Sequence, residues 1–279
     1  GMDYVGPFTF NAARSILGGI ALLPVIYVMN RGKKRKDALP DENMVKHAAE
    51  KKQERKTLLL GGICCGAALA VASSLQQIGI MYTSAGKAGF ITALYILIVP
   101  IIGIFLGKRA GKKVWIGVAL AVVGMYFLCI NGGFSIARGD FYVILCAVGF
   151  SVHILVIDHF SPKVDGVCMS CIQFFVSGIL CGIPALIFEQ PQIGGVLSAW
   201  MPILYAGVLS SGVGYTLQIV AQKKTDPTVA SLLMSLESVF SVLAGWVILG
   251  ERLSGREMFG CVLVFAAVIL AQLPERRKV

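Results

Sequence analysis

From Leu58 to Leu106 the chain carries a single charged side chain, Lys87. A soluble fold cannot be built from such a run, because an element in contact with water needs a polar face. A helix of about 20 apolar residues, by contrast, crosses the roughly 30 Å hydrocarbon layer of a bilayer. Composition points the same way. The chain is 56% hydrophobic and 14% charged, where a soluble domain carries about 25% charged residues. This excludes a soluble globular enzyme, a nucleic-acid-binding domain and a disordered chain. The net charge of +10 does not describe a phosphate-binding surface, since ten of the 25 Lys and Arg residues crowd into Arg31–Lys56. The eight cysteines all fall in hydrophobic stretches and read as small buried thiols rather than as a disulfide framework.

The same ruler predicts an all-α polytopic membrane protein with nine transmembrane helices: Phe8–Met29, Leu58–Met81, Ala85–Leu106, Val114–Ile130, Phe141–Asp158, Val167–Phe188, Ala199–Gln222, Thr228–Leu249 and Met258–Leu273. The polar, sign-mixed stretch Asn30–Lys56 reads as a solvated loop with room for a short surface helix. Alternating the spans across a bilayer places twenty Lys and Arg on one side and four on the other, with Arg14 inside a span. One missed or invented helix would mix the two groups. The basic side is then cytoplasmic, which puts the C-terminus inside an inner or plasma membrane.

Sliding the chain by 143 residues aligns Leu106–Arg109 with Leu249–Arg252, and Gly117 with Gly260. A slide of 160 aligns Gly18 with Gly178 and Pro24 with Pro184. These matches predict two repeats, residues 1–130 with four helices and the 30–56 loop, and residues 139–279 with five. A five-helix unit placed twice in series must be inverted. The unmatched helix of the second unit predicts a first helix before Gly1, and so a ten-helix fold.

Three segments carry a family resemblance. Gly79–Tyr95 resembles the third-to-fourth helix region of EamA-type members of the drug/metabolite transporter superfamily. Gly245–Leu253, with Leu249-Gly250-Glu251-Arg252, resembles the end of their ninth helix, and Pro7–Arg14 the entry to their second. The resemblance implies an exporter fold of two inverted five-helix halves, a central substrate cavity and alternating access.

Ionisable groups inside a bilayer cost several kcal/mol, so each points to a function or a buried bond. Glu237 sits near the centre of its span, flanked by Ser235, Ser238 and Ser241. It suits an amine, a cation or a proton; a protonated side chain bonded for packing is the plain alternative. His153 is the histidine well inside a span and titrates near neutrality, or else bonds a backbone carbonyl. Arg14 can bind a carboxylate, anchor a neighbouring helix or snorkel. Ser74 and Gln77, with Ser73 and Gln76, end the second span beside Lys87 and suit an outer gate or a wetted interface. Tyr95 and Tyr215, with Trp246, Phe150 and Phe174, can line an apolar pocket or simply pack.

Other classes fit less well. Ser210-Ser211-Gly212 with His153 suggests an intramembrane serine protease, but nothing in the sequence places a base beside the serine. Cys168 and Cys171 have the spacing of a metal pair without a second pair. Sparse intramembrane Lys and Arg argue against phosphate compounds. The expectation is a non-enzymatic secondary transporter exporting small metabolites: amino acids, amines or amphiphilic drugs. An uncoupled facilitator or channel is the alternative. No cofactor or nucleic acid is expected; the partners are substrate, lipid and coupling protons, with a homodimer allowed.

Overall fold

The computed structural model describes residues 4–36, 44–83, 85–108, 111–130, 138–249 and 254–273. Within these, the backbone alone is described at 32–36, 44–50, 85–86, 241–242, 245–246 and 248–249. The described chain is helical from end to end: α1 (Pro7–Lys36), α2 (Met44–Ile80), α3 (Ala85–Ala93), α4 (Tyr95–Phe105), α5 (Lys112–Cys129), α6 (Arg138–Phe160), α7 (Gly166–Pro184), α8 (Ile193–Ser198), α9 (Trp200–Leu204), α10 (Thr216–Gln222), α11 (Pro227–Met234), α12 (Leu236–Leu249) and α13 (Gly255–Gln272). Eight helical stretches among the described residues are long and apolar enough to cross a membrane, and Pro227–Phe240 is a shorter apolar one.

Two features differ from the sequence reading. The expected Asn30–Lys56 loop is largely helix, because α1 runs on to Lys36 and α2 begins at Met44. Lys, Arg, Glu, Gln and Ala are good helix formers, so the helices continue past their apolar parts into polar surroundings. The spans Ala85–Leu106 and Thr228–Leu249 are each interrupted at one residue, Leu94 and Ser235. The Leu249–Arg252 element lies outside the described residues beyond Leu249.

Helix starts follow local chemistry. Asp165 accepts from the N–H groups of Val167 and Cys168 at 3.1 and 3.2 Å. Asp226 accepts from Thr228 N at 2.9 Å, with Pro227 at the first helical position. Ser254 and Glu257 form a capping box on α13. Each satisfies N–H groups that a first turn leaves without partners.

The helices form two compact units, residues 1–74 with 156–224 and residues 75–155 with 225–279. In the first, α1 packs on α7 and on a π-helical segment, Tyr205–Tyr215. A Cβ on Gly18 would lie 3.0 Å from Gly207 O, so only glycine lets these backbones meet. In the second, α5 packs along α13, and a Cβ on Gly260 would lie 2.7 Å from Gly124 O. These two helices begin and end 143 residues apart.

Candidate functional site

The interrupted helices define the candidate site in the second unit. Leu94 N bonds back three residues to Ile91 O at 3.1 Å, while Leu94 O receives Leu97 N and Ile98 N at 2.9 and 3.1 Å. Ser235 N is shared between Ser231 O and Leu232 O, both at 3.2 Å. The Ser235 hydroxyl donates to Leu232 O at 2.6 Å, and that of Ser231 to Thr228 O at 2.8 Å. Serine back-bonding of this kind loosens the helical ladder and bends the helix.

α4 packs against α11, all four half-helices rest on α5, and α11 and α12 also touch α13. Tyr95 is the first residue of α4 and is buried; Glu237 is the second of α12 and is exposed. Each residue thus stands just past the interruption of its own span. A carboxylate in a helix's first turn also sits favourably in the helix dipole.

His153 lies in α6 of the same unit, fully buried. Gln77, also in this unit, is half-buried at the end of α2, and its neighbour Gln76 donates to Thr92 Oγ1 at 3.4 Å. Arg14, Ser74 and Tyr215 belong to the first unit. Arg14 lies 6.0 Å from the Phe10 ring centroid, Ser74 Oγ is 3.6 Å from Cys181 Sγ, and Tyr215 meets Phe174 edge-on at 6.3 Å. The contacts described for these three run to packing neighbours within their own unit.

Two polar clusters escaped the sequence reading. Asp140, one residue before the expected span Phe141–Asp158, occupies the first turn of α6 and is buried. It pairs with Lys87 and accepts from Thr83 Oγ1 at 2.8 Å, which ties the α2–α3 turn to α6. Glu189 ends a π-turn after α7, and its carboxylate receives Phe8 N, Thr9 N and Thr9 Oγ1. Helix-end carboxylates look like wetted residues in a hydropathy reading, and their partners lie far away in sequence.

The profile of the EamA-like transporter family matches residues 1–130 and 137–273. The chain belongs to the EamA-like transporter family. It is an integral membrane protein and a transporter. Among EamA-like relatives, an uncharacterized transporter of Archaeoglobus fulgidus is 29% identical over 273 residues, 98% of this chain and 79% of its own. The threonine/homoserine exporter RhtA of Salmonella typhimurium is 26% identical over 184 residues, 63% of this chain and 60% of the exporter. A known crystal structure superposes with a TM-score of 0.74 at 21% identity, covering 96% of this chain and 89% of the other. That likeness shows that the two chains share a fold.

Proposed function

We propose that this EamA-like protein is a secondary-active exporter of small metabolites, with amino acids and amines as the leading substrate class. The observation that carries the reading is the pair of interrupted helices with Tyr95 and Glu237 just past Leu94 and Ser235. Interrupted helices at matching places in two halves are a mark of transporter binding sites. Glu237 offers a carboxylate to an ammonium group, and His153 in the same unit offers a proton-exchanging partner. The likeness to a threonine/homoserine exporter supports an amino-acid-like substrate.

The reading includes two inverted repeats, residues 1–130 and 139–279, working by alternating access. The bounds of α5 and α13, which match at a shift of 143 residues, and those of α3–α4 and α11–α12, which fall within two residues of that shift, support it. It also places the protein in the plasma or inner membrane with a cytoplasmic C-terminus, as the Lys and Arg distribution favours. It assigns no catalytic role: Ser210 is exposed on the π segment and Ser211 is buried beneath Gly18.

Flux in proteoliposomes tests the proposal. A mixed pool of amino acids and amines is offered under an imposed pH gradient, with Glu237→Gln run beside the native protein. Saturable, gradient-accelerated movement of one class, weakened in the variant, is the expected result. Gradient dependence unchanged in Glu237→Gln removes Glu237 from the coupling. Equilibration without concentration would make the protein an uncoupled facilitator.

A further inference from the structure

The first unit has a polar interior of its own. Along α7, Ser170, Gln173, Ser177 and Cys181 recur at helical spacing and are all buried. Ser170 Oγ lies 2.7 Å from Thr216 Oγ1 on α10, Ser177 Oγ 3.4 Å from Ser15 Oγ on α1, and Cys181 Sγ 3.6 Å from Ser74 Oγ on α2. One turn before Ser15 is Asn11, fully buried, with neither amide atom partnered among the described residues. Thr9 and Glu189 follow, joined by a 2.6 Å hydrogen bond. Polar groups therefore recur at about one-turn steps from the Ser170–Thr216 pair to Glu189.

The paired hydroxyls and thiol satisfy one another, which leaves the Asn11 amide as the costly group of the column. An unsatisfied amide in a membrane interior costs several kcal/mol. The Asn11 amide presents two donor hydrogens and a carbonyl acceptor. An ion would satisfy only one kind, whereas water satisfies both. One-turn steps of about 5.4 Å are also the span of two hydrogen bonds through a single water.

The column ends at an apolar cluster of Cys65, Ile157, Val164, Met169 and Ile219. Met169 directly precedes Ser170, and Ile219 lies one turn past Thr216. One turn beyond the cluster are Ser161 and Gln222, both buried, with the Ser161 hydroxyl and both Gln222 amide atoms unpartnered among the described residues. The order along the unit is polar, apolar, polar.

We infer that the first unit contains a hydrated proton half-channel, with its mouth at Glu189 and closed by the Met169 cluster. Each water or hydroxyl in it accepts one proton and passes another on, inward from the water at the mouth. No other bond changes. The inference is independent of the substrate reading, because its readout is proton movement without substrate.

The test uses liposomes containing a pH-sensitive dye, a potassium diffusion potential and no substrate. Met169→Ser is expected to admit protons at least roughly tenfold faster than the native protein, the change produced by lowering a barrier about 1.4 kcal/mol. Adding Asn11→Leu is expected to bring the rate back near native. A Met169→Ser protein as tight as native overturns the inference, and so does a leak that survives Asn11→Leu. X-ray hydroxyl-radical footprinting of the native protein guards against misfolded variants. Cys181 is expected to be oxidised at a rate comparable to the exposed Met201, with Met169 spared. Cys181 as inert as Met169 would mean a dry column and would equally overturn it.

Discussion

Glu189 holds the first turn of α1 from 180 residues away: its Oε2 atom receives the Thr9 N–H at 2.8 Å and the Thr9 hydroxyl at 2.6 Å. Its other oxygen receives Phe8 N at 2.8 Å. A long-range carboxylate thus does the work that a local Ser or Asp does for other helices. Gly6 leaves the room, since a Cβ there would lie 2.2 Å from Glu189 Cδ.

Removing this carboxylate strands donors in a half-buried site. Glu189→Ala is expected to cost about 1–3 kcal/mol, the usual penalty for unpaired buried groups. Glu189→Gln, which keeps one acceptor but loses the charge, should cost roughly 1 kcal/mol. Gly6→Ala displaces the same carboxylate, so combining it with Glu189→Ala should add little. Thermal unfolding in detergent reads all four proteins, and full additivity would show that Gly6 does not serve Glu189.

The Lys87–Asp140 pair is the next most exposed to mutation. Asp140 is 3% exposed at its side chain and Lys87 14%, so breaking the pair leaves a nearly buried charge. Asp140→Leu alone is expected to destabilise by about 3 kcal/mol, and Lys87→Met added to it should recover much of the loss. Denaturant titration measures both, and a double variant weaker than the single one would contradict the account.

Close helix approach makes a third prediction. Gly260→Ala places a methyl group 2.7 Å from the Gly124 carbonyl, a backbone atom that cannot swing aside. Separating α5 from α13 should cost about 1–3 kcal/mol. At Gly182 nothing lies within 4 Å of an added Cβ, so Gly182→Ala should be neutral or stabilising by up to about 1 kcal/mol. Parallel melting curves of the two variants decide the matter.

Ser235 separates function from stability. Ser235→Ala removes the 2.6 Å bond to Leu232 O that bends the span Thr228–Leu249. Back-bonding serines weaken helices slightly, so stability should stay within about 0.5 kcal/mol of native. Transport is expected to fall several-fold as the interruption beside Glu237 straightens. Unchanged flux in a well-folded Ser235→Ala protein would show that the bend does not shape the site.

Much of this protein follows from its sequence alone, and the reason is the bilayer. A membrane admits few spanning structures, so hydropathy and length were enough to place α5 at Val114–Ile130, within two residues of the observed Lys112–Cys129. The resemblance at Pro7–Arg14 and Gly79–Tyr95 pointed to the family on the same grounds, because both motifs are local. Tertiary structure decided the rest. The interruptions at Leu94 and Ser235 change one or two hydrogen bonds and leave hydropathy untouched, so no window average can register them. Asn11 reads as one polar residue in an apolar helix until helix packing buries it completely. Glu189 and Thr9, like Lys87 and Asp140, meet across long stretches of chain. Contact between such residues is set by how the helices pack, and packing is what a one-dimensional pattern of apolar and polar residues does not encode.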